Sequence, residues 1–272
     1  MEALEAGGIA IPKLGLGTYR LTGDACRAAV ESALALGYRH LDTAEMYGNE
    51  EAVGAAIAAS DVPRNEIHVT TKAWVENLAP DALHRAFDIS QRKLGLDTVD
   101  LYLIHWPAPD MKLGATLEAM LRLKEEGRIR AVGVANFPVA LLRQAVEEVG
   151  APIACNQVEY HVCLDQSALL AYQRQKGIPL VAYCPVAQGR LAEDATLAGI
   201  GAKHGASPTQ VALKWLLDQD IVVPIPKAGR QVSQQANLDA FGIALDDDDR
   251  AAIAAMRKDL RCVNPGFAPD WD

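Results

Sequence analysis

The chain has 272 residues, of which 50% are hydrophobic, so it is long enough for one domain with a large core. Its formal net charge of −9 argues against nucleic acid or an anionic membrane as the main partner, because phosphate binding normally needs a basic face. No apolar run approaches the ~20 residues of a membrane span and no export signal begins the chain, so we expect a single cytoplasmic domain over residues 1–272.

Apolar segments alternate with amphipathic segments along the whole chain, which predicts the alternating strands and helices of an α/β protein. Eight strands are predicted, at residues 14–17, 40–42, 67–72, 101–105, 131–135, 154–157, 180–183 and 222–226. Helices are predicted at residues 24–36, 50–59, 80–94, 115–126, 139–148, 166–176 and 207–218. Eight parallel strands with connecting helices suit a closed barrel.

The last part of the chain departs from this regular alternation. The last two strand ends are 44 residues apart, so residues 191–204 predict an additional helix between strands 7 and 8. Residues 246–249 are all aspartate and predict a helix start, because acidic side chains stabilise the positive end of the helix dipole. After Met256 the periodicity is lost, and the aromatic residues there predict a C-terminal tail packing over the barrel.

Polar side chains stand at the trailing ends of seven apolar runs. They are Asp42, Lys72, His105, Asn136, Gln157, Tyr183 and Lys227. Parallel strands joined by helices present their carboxyl ends on one face, so these side chains should converge there. This face is the predicted functional site.

Asp42, Lys72 and His105 of this face, together with Tyr47, are side chains that can deliver a proton to a substrate. A Lys72 ammonium close to Tyr47 should lower the pKa of the phenol from about 10 and make it a usable general acid. Asp42 can keep Lys72 charged in a poorly solvated place, and His105 can orient a carbonyl oxygen through an N–H group. General acid catalysis contributes about 10² to 10⁴ in rate, so another group must attack the carbonyl carbon.

The sequence offers few candidates for that attack. GxSxG is absent, the histidines show neither HxH nor HExxH spacing, and the five cysteines lack CxxC spacing, as expected of reduced thiols without a metal site. A hydride carried by a nicotinamide cofactor is the remaining good candidate, although no GxGxxG follows the first strand. A barrel hydrolase that uses a metal and a cofactor-binding protein without turnover stay open as alternatives.

The segment GYRHLDTAEMYGNEEAVG, followed in order by TKAW, LIHWP, GVANF, NQVEYH, AYCP and IPK, closely resembles the aldo-keto reductase family. The resemblance runs from Leu14 to the C-terminus and implies a (β/α)₈ TIM barrel. It also implies NADPH-dependent reduction of an aldehyde or ketone to an alcohol. The catalytic tetrad it implies is Asp42, Tyr47, Lys72 and His105, with Tyr47 as the proton donor.

The same resemblance implies where the cofactor binds. Its positions are Gly17, Thr18, Asp42, Asn136, Gln157, Tyr183, Pro185, Lys227, Arg230 and Asn237. The two amides would bind the nicotinamide carboxamide and the Tyr183 ring would stack on it, or the amides could simply close hydrogen bonds at the barrel rim. No acidic residue lies between positions 224 and 237, which favours NADPH, with Lys227 and Arg230 at the 2′-phosphate or as an ordinary solvated pair. Ala135, Cys184, Ala228 and Ser233 depart from the pattern of the family.

The substrate pocket is expected at the barrel mouth. Trp74 and Trp106 should line it, joined by Tyr19, Met46 and His161, although a histidine there more often supports a loop. Short rims suit small polar carbonyl compounds. The compact loops and the closing GFAPDWD resemble the bacterial branch with 2,5-diketogluconate reductase B and methylglyoxal reductase, which implies sugar-derived ketones and 2-oxoaldehydes as substrates. We expect a monomer.

Overall fold

The computed structural model describes residues 2–272, and its central feature is a closed sheet of eight parallel strands. Two further strands precede this sheet in the chain, β1 Ala3–Ala6 and β2 Ile9–Pro12. The strands of the sheet are β3 Leu16–Gly17, β4 His40–Asp42, β5 His68–Ala73, β6 Val99–Ile104, β7 Ile129–Ala135, β8 Ile153–Glu159, β9 Leu180–Tyr183 and β10 Val222–Pro224. Strands β3 to β10 pair in chain order. The sheet closes because Gly17 pairs with Lys227 and donates its N–H to Pro226 at 3.1 Å. The predicted (β/α)₈ barrel is confirmed.

Helices surround the sheet on its outer side. They are α1 Gly23–Ala35, α2 Glu50–Ala58, α3 Pro80–Leu94, α4 Leu113–Glu125, α5 Val139–Arg143, α6 Ser167–Lys176, α7 Ala195–His204, α8 Pro208–Leu217, α9 Gln231–Asp239 and α10 Asp247–Ala254. The additional helix between the last two strands is α7. It begins later than predicted because Asp194 caps it, accepting a hydrogen bond from the Leu197 N–H at 2.9 Å. None of the helices within residues 2–272 has the length and apolar character that a membrane crossing requires.

An N-terminal hairpin, which the sequence analysis did not predict, closes the barrel at the end opposite the site. Strands β1 and β2 pair antiparallel, and the turn between them holds Gly7 at φ 59°. The hairpin packs tightly, because a Cβ added at Gly7 would lie 2.5 Å from the Cβ of Ala154. Ile9 and Ile11 of β2 are buried against inward-facing side chains of the barrel strands. The hairpin therefore closes the amino-terminal end of the barrel strands, and the end where the strands have their carboxyl termini stays open.

Candidate active site

A cleft of about 820 Å³ opens at the carboxyl ends of the strands, a volume typical of small-molecule sites. The predicted residues that line it are Gly17, Tyr19, Asp42, Met46, Tyr47, Trp74, His105, Trp106, Asn136, Gln157, Tyr183, Pro185 and Lys227. The structure therefore brings together, in one place, residues that lie far apart in the chain. Lys72 lies directly beneath this surface and is fully buried.

The centre of the site is a buried ion pair. The Nζ atom of Lys72 lies 2.6 Å from Oδ1 of Asp42 and donates to the carbonyl oxygen of Thr43 at 2.8 Å. The Nε2 atom of Gln157 donates to the other oxygen of Asp42 at 2.7 Å. Burial lowers the pKa of Lys72, and the Asp42 carboxylate opposes that effect. Asp42 thus supports the charged lysine.

Tyr47 lies after β4 in a short 3₁₀ helix, with its hydroxyl oxygen 3.4 Å from Nζ of Lys72. The predicted fall in the pKa of Tyr47 is wrong, because burial raises that pKa well above 10.0, the Asp42 carboxylate raises it further, and the attraction of Lys72 for the phenolate does not offset the two. The charge of Lys72 is compensated by Asp42, which lies closer to it than the phenol does. Tyr47 therefore holds its proton at neutral pH, as a proton donor must.

His105 stands against the same phenol. Its ring meets those of Tyr47 and Trp74 edge to face, with centroids 5.6 and 5.1 Å apart. Burial, followed by the nearby Lys72 charge, holds the pKa of His105 well below 6.5, so the ring is neutral. A neutral imidazole donates through one nitrogen and accepts through the other; Nδ1 is buried without a partner among residues 2–272, so Nε2 is the nitrogen that can meet a ligand in the cleft. His105 can therefore hydrogen-bond a carbonyl oxygen without adding charge to the site.

Two side chains predicted to hold a cofactor are fixed by a hydrogen bond between them. The Tyr183 hydroxyl donates to Oδ1 of Asn136 at 2.8 Å, and Nδ2 of Asn136 donates to the carbonyl oxygen of His105 at 2.9 Å. Asn136 has φ 62°, a left-handed conformation that asparagine tolerates better than most residues. The hydrogen bonds at the barrel rim, left open as an alternative, are thus present, and they orient the Tyr183 ring within the cleft.

The remaining cofactor positions are placed differently. Thr18 is fully buried and donates its hydroxyl to the carbonyl oxygen of Asp42 at 2.9 Å, so it supports the strand ends and does not line the cleft. Lys227 is exposed at the cleft, whereas Arg230 and Asn237 lie outside its lining, at the start of α9 and within it. The first turn of α9 carries no acidic side chain, and such a helix start suits a phosphate.

The C-terminal tail forms one wall of the cleft, as its predicted position over the barrel requires. The Phe267 ring lies edge to face against Trp74 and Trp106, with centroids 6.0 and 5.7 Å apart. Phe267 and Asn264 also line the cleft, and neither was among the residues predicted for the site. The only sequence signal for them was the aromatic content of an otherwise aperiodic tail.

His161 does not reach the cleft, which corrects its assignment to the substrate pocket. The side chain is 0% exposed, and its Nδ1 accepts from the N–H of Cys163 at 3.3 Å. Its Nε2 therefore carries the proton and donates to Glu159 at 3.0 Å. Glu159, His161 and Cys262 are the one group within residues 2–272 with metal-ligand spacing. However, the same Glu159 oxygen also accepts from the Cys262 N–H at 2.6 Å, so the group is an internal hydrogen-bond network.

Comparison with known proteins places the barrel and the cleft in one family. A model of the Aldo/keto reductase family matches residues 13–258. The chain is 43% identical over 268 residues to methylglyoxal reductase DkgB of Escherichia coli O157:H7, covering 97% of this chain and 100% of that one. The crystal structure of a protein provisionally named 2,5-diketo-D-gluconic acid reductase B has a TM-score of 0.97 and 40% identity, covering 100% of this chain and 98% of that one. MGS-M4, an aldo-keto reductase from a Medee basin deep-sea metagenome, has a TM-score of 0.91 and 38% identity, with 97% of both chains covered.

Proposed function

The chain belongs to the aldo/keto reductase family of oxidoreductases, and we propose that it uses NADPH to reduce small polar aldehydes and ketones to alcohols. The substrates we propose are 2-oxoaldehydes such as methylglyoxal and sugar-derived ketones such as 2,5-diketogluconate, because similar proteins carry these names. The observation that carries the proposal is the position of the Tyr47 hydroxyl in the cleft, 3.4 Å from Nζ of Lys72 in the buried Asp42–Lys72 pair.

The residues present fit a nicotinamide cofactor, which when bound supplies the hydride for the carbonyl carbon. Asn136 and Gln157 would bind its carboxamide, and the Tyr183 ring, already fixed by Asn136, would pack against its ring. Lys227 and Arg230 would bind the 2′-phosphate of NADPH, since no acidic residue between positions 224 and 237 offers an acceptor for a ribose diol.

The proton comes from Tyr47. As negative charge develops on the carbonyl oxygen, the phenol donates its proton, and the Lys72 ammonium stabilises the phenolate that is left. Asp42 keeps Lys72 charged and in position, while the neutral His105 hydrogen-bonds the oxygen and so orients the carbonyl. Solvent then returns a proton to Tyr47, which completes the cycle of this side chain.

One wall of the cleft is built of aromatic side chains. Trp74, Trp106 and Phe267 pack edge to face on one side and hold each other in place as one wall of the cleft. We further propose a cytoplasmic monomer, with which the five free cysteines agree because such thiols persist in a reducing compartment.

The test is consumption of NADPH, followed at 340 nm, with methylglyoxal as the substrate. Tyr47→Phe keeps the ring but removes the proton, so we expect NADPH binding to persist and kcat to fall by a factor of about 10² or more. A variant with a near-parental rate would exclude Tyr47 as the acid.

The same assay separates the two rival functions. A cofactor-binding protein without turnover would bind NADPH and show no loss of absorbance over hours. A metal-dependent hydrolase would consume no NADPH and would lose its own activity when a chelator is added, whereas NADPH consumption by the reductase should not change.

A further inference from the structure

One polar side chain in the cleft has no part in the proposed reaction. Asn264 lines the cleft on its C-terminal wall. Its backbone is held in place because the N–H groups of Cys262 and Val263 donate to the two oxygens of Glu159 at 2.6 and 2.8 Å. Glu159 is itself fully buried. Asn264 therefore stands on an anchored segment, although its own side chain is exposed to the cleft.

The orientation of the Asn264 amide follows from its neighbour. The Nε1 atom of Trp271 lies 2.9 Å from the amide and can only donate, so the atom that receives its hydrogen is the oxygen Oδ1. The Trp271 ring is held in turn by the Arg261 guanidinium, 3.9 Å from its centroid, and by the Trp106 ring at 6.0 Å. The Nδ2 group of Asn264 is left as an oriented donor that bonds to nothing within residues 2–272.

A substrate with a second oxygen next to the reacting carbonyl needs such a donor. Tyr47 and His105 can serve the reacting oxygen, whereas on the wall where Asn264 lies Phe267 offers no donor and the indole N–H groups are the only donors of the Trp74 and Trp106 side chains. An acceptor that leaves water without finding a donor carries a desolvation penalty. A simple aldehyde has no second oxygen and avoids this penalty.

We propose that Asn264 binds the second oxygen of vicinal dicarbonyl substrates through Nδ2 and thereby selects them over simple aldehydes. This inference rests on the proposed reductase function and adds a substrate-binding residue to it. Asn264 takes no part in proton transfer, so its contribution depends on the substrate and not on the reaction step.

The test compares methylglyoxal with propanal, which has the same three carbons and lacks only the second oxygen. We expect Asn264→Asp, which keeps the shape but replaces the donor by an acceptor, to lower kcat/KM for methylglyoxal by about 3- to 10-fold. Asn264→Ala, which adds no charge, should give a similar loss and should change kcat/KM for propanal by less than about twofold. Hydration of methylglyoxal in water is the same for every variant and cancels in the comparison.

Trp271→Phe serves as a second variant, because it keeps an aromatic ring beside Trp106 but loses the N–H that orients Asn264. We expect it to reduce the methylglyoxal rate selectively, by less than the Asn264 variants do. Equal losses on both substrates, or no loss on either, would overturn the inference while leaving the reductase function intact. A parent protein that consumes NADPH with neither substrate would instead remove the proposed function, and the role of Asn264 with it.

Discussion

Replacing Asp42 by asparagine removes one charge of the buried ion pair and keeps the shape of the side chain. Lys72 would then retain the carbonyl oxygen of Thr43, 2.8 Å away, as its main acceptor, in a place where its own side chain is 0% exposed. The new amide offers Lys72 a neutral oxygen in place of a carboxylate, and Gln157 must turn its own amide to accept from the new nitrogen. In the parent protein, Gln157 donates to the second Asp42 oxygen through Nε2, an orientation that the carboxylate requires and an amide does not. Asp42→Asn therefore leaves an uncompensated ammonium inside the barrel.

The loss of folding stability caused by Asp42→Asn has an upper limit, and this limit depends on pH. Removing one partner of a buried pair typically costs about 3–5 kcal/mol. Lys72 can escape this cost by losing its proton, and one pKa unit corresponds to about 1.4 kcal/mol. From an ordinary lysine pKa of 10.5, deprotonation costs about 5 kcal/mol at pH 7 and about 2 kcal/mol at pH 9. We expect Asp42→Asn to lower the free energy of unfolding by about 3–5 kcal/mol at pH 7 and by at most about 2 kcal/mol at pH 9.

The direction of this pH dependence follows from proton binding. Burial lowers the pKa of Lys72 in the folded protein, and losing Asp42, which raises it, lowers it further. Between that lowered value and the unfolded value of 10.5, the unfolded chain binds more protons than the folded one. The stability of the variant therefore rises with pH in this interval, and the difference from the parent protein narrows.

Urea unfolding of the parent and the variant at pH 7 and pH 9 measures both quantities. Glu118→Gln is the matched control, because it breaks an ion pair with Arg122 of similar length, 2.7 Å, between side chains that are 65% and 61% exposed. That change should cost at most about 0.5 kcal/mol. A loss below about 1 kcal/mol for Asp42→Asn at pH 7, or one that does not shrink at pH 9, would refute the reasoning.

Three further predictions concern the cofactor, the tail and two buried histidines. Arg230→Ala should reduce the preference for NADPH over NADH about tenfold, measured as the ratio of Michaelis constants, because a charge-assisted bond to the 2′-phosphate is lost. In Glu159→Gln the new amide has one acceptor oxygen for three donors, which are the His161 ring and the N–H groups of Cys262 and Val263. This change should therefore speed hydrogen exchange at the start of the tail and lower the free energy of unfolding, measured in urea, by about 2 kcal/mol. Burial lowers the pKa of His40 and His68 from 6.5, so stability should fall as the pH drops below 6.5, and His68→Gln should flatten this slope by up to about 1.4 kcal/mol per pH unit.

Each of these predictions has its own contrary result. Equal Michaelis constants for NADPH and NADH in the parent protein would reject the role of Arg230. Unchanged exchange rates in Glu159→Gln would show that the tail is held mainly by its aromatic contacts. A slope below pH 6.5 that is the same with and without His68 would place the acid sensitivity in other groups.

The positions of the strands, and of the polar residues that follow them, were accessible from the sequence. Asp42, His105 and Asn136 each come at the end of an apolar run, and all three line the cleft. The N-terminal hairpin was missed because its strands have four residues each, too few for a period to show. Helix α9 was missed because its buried side is the polar Gln234, which donates to the carbonyl oxygens of Ala29 and Ala228.

The sequence by itself determined the alternation of strands and helices, and with it the end of the barrel where polar side chains gather, because both follow from short-range periodicity. Only the tertiary structure decided which of those side chains reach the cleft and what their neighbours are. His161 hydrogen-bonds Glu159 and does not reach the cleft, whereas Phe267 of the C-terminal tail packs against Trp74 at the cleft. Asp42 compensates the charge of Lys72, so the pKa of Tyr47 is not lowered. Burial and interatomic distance set hydrogen bonding and pKa, and both arise from contacts between residues far apart in the chain.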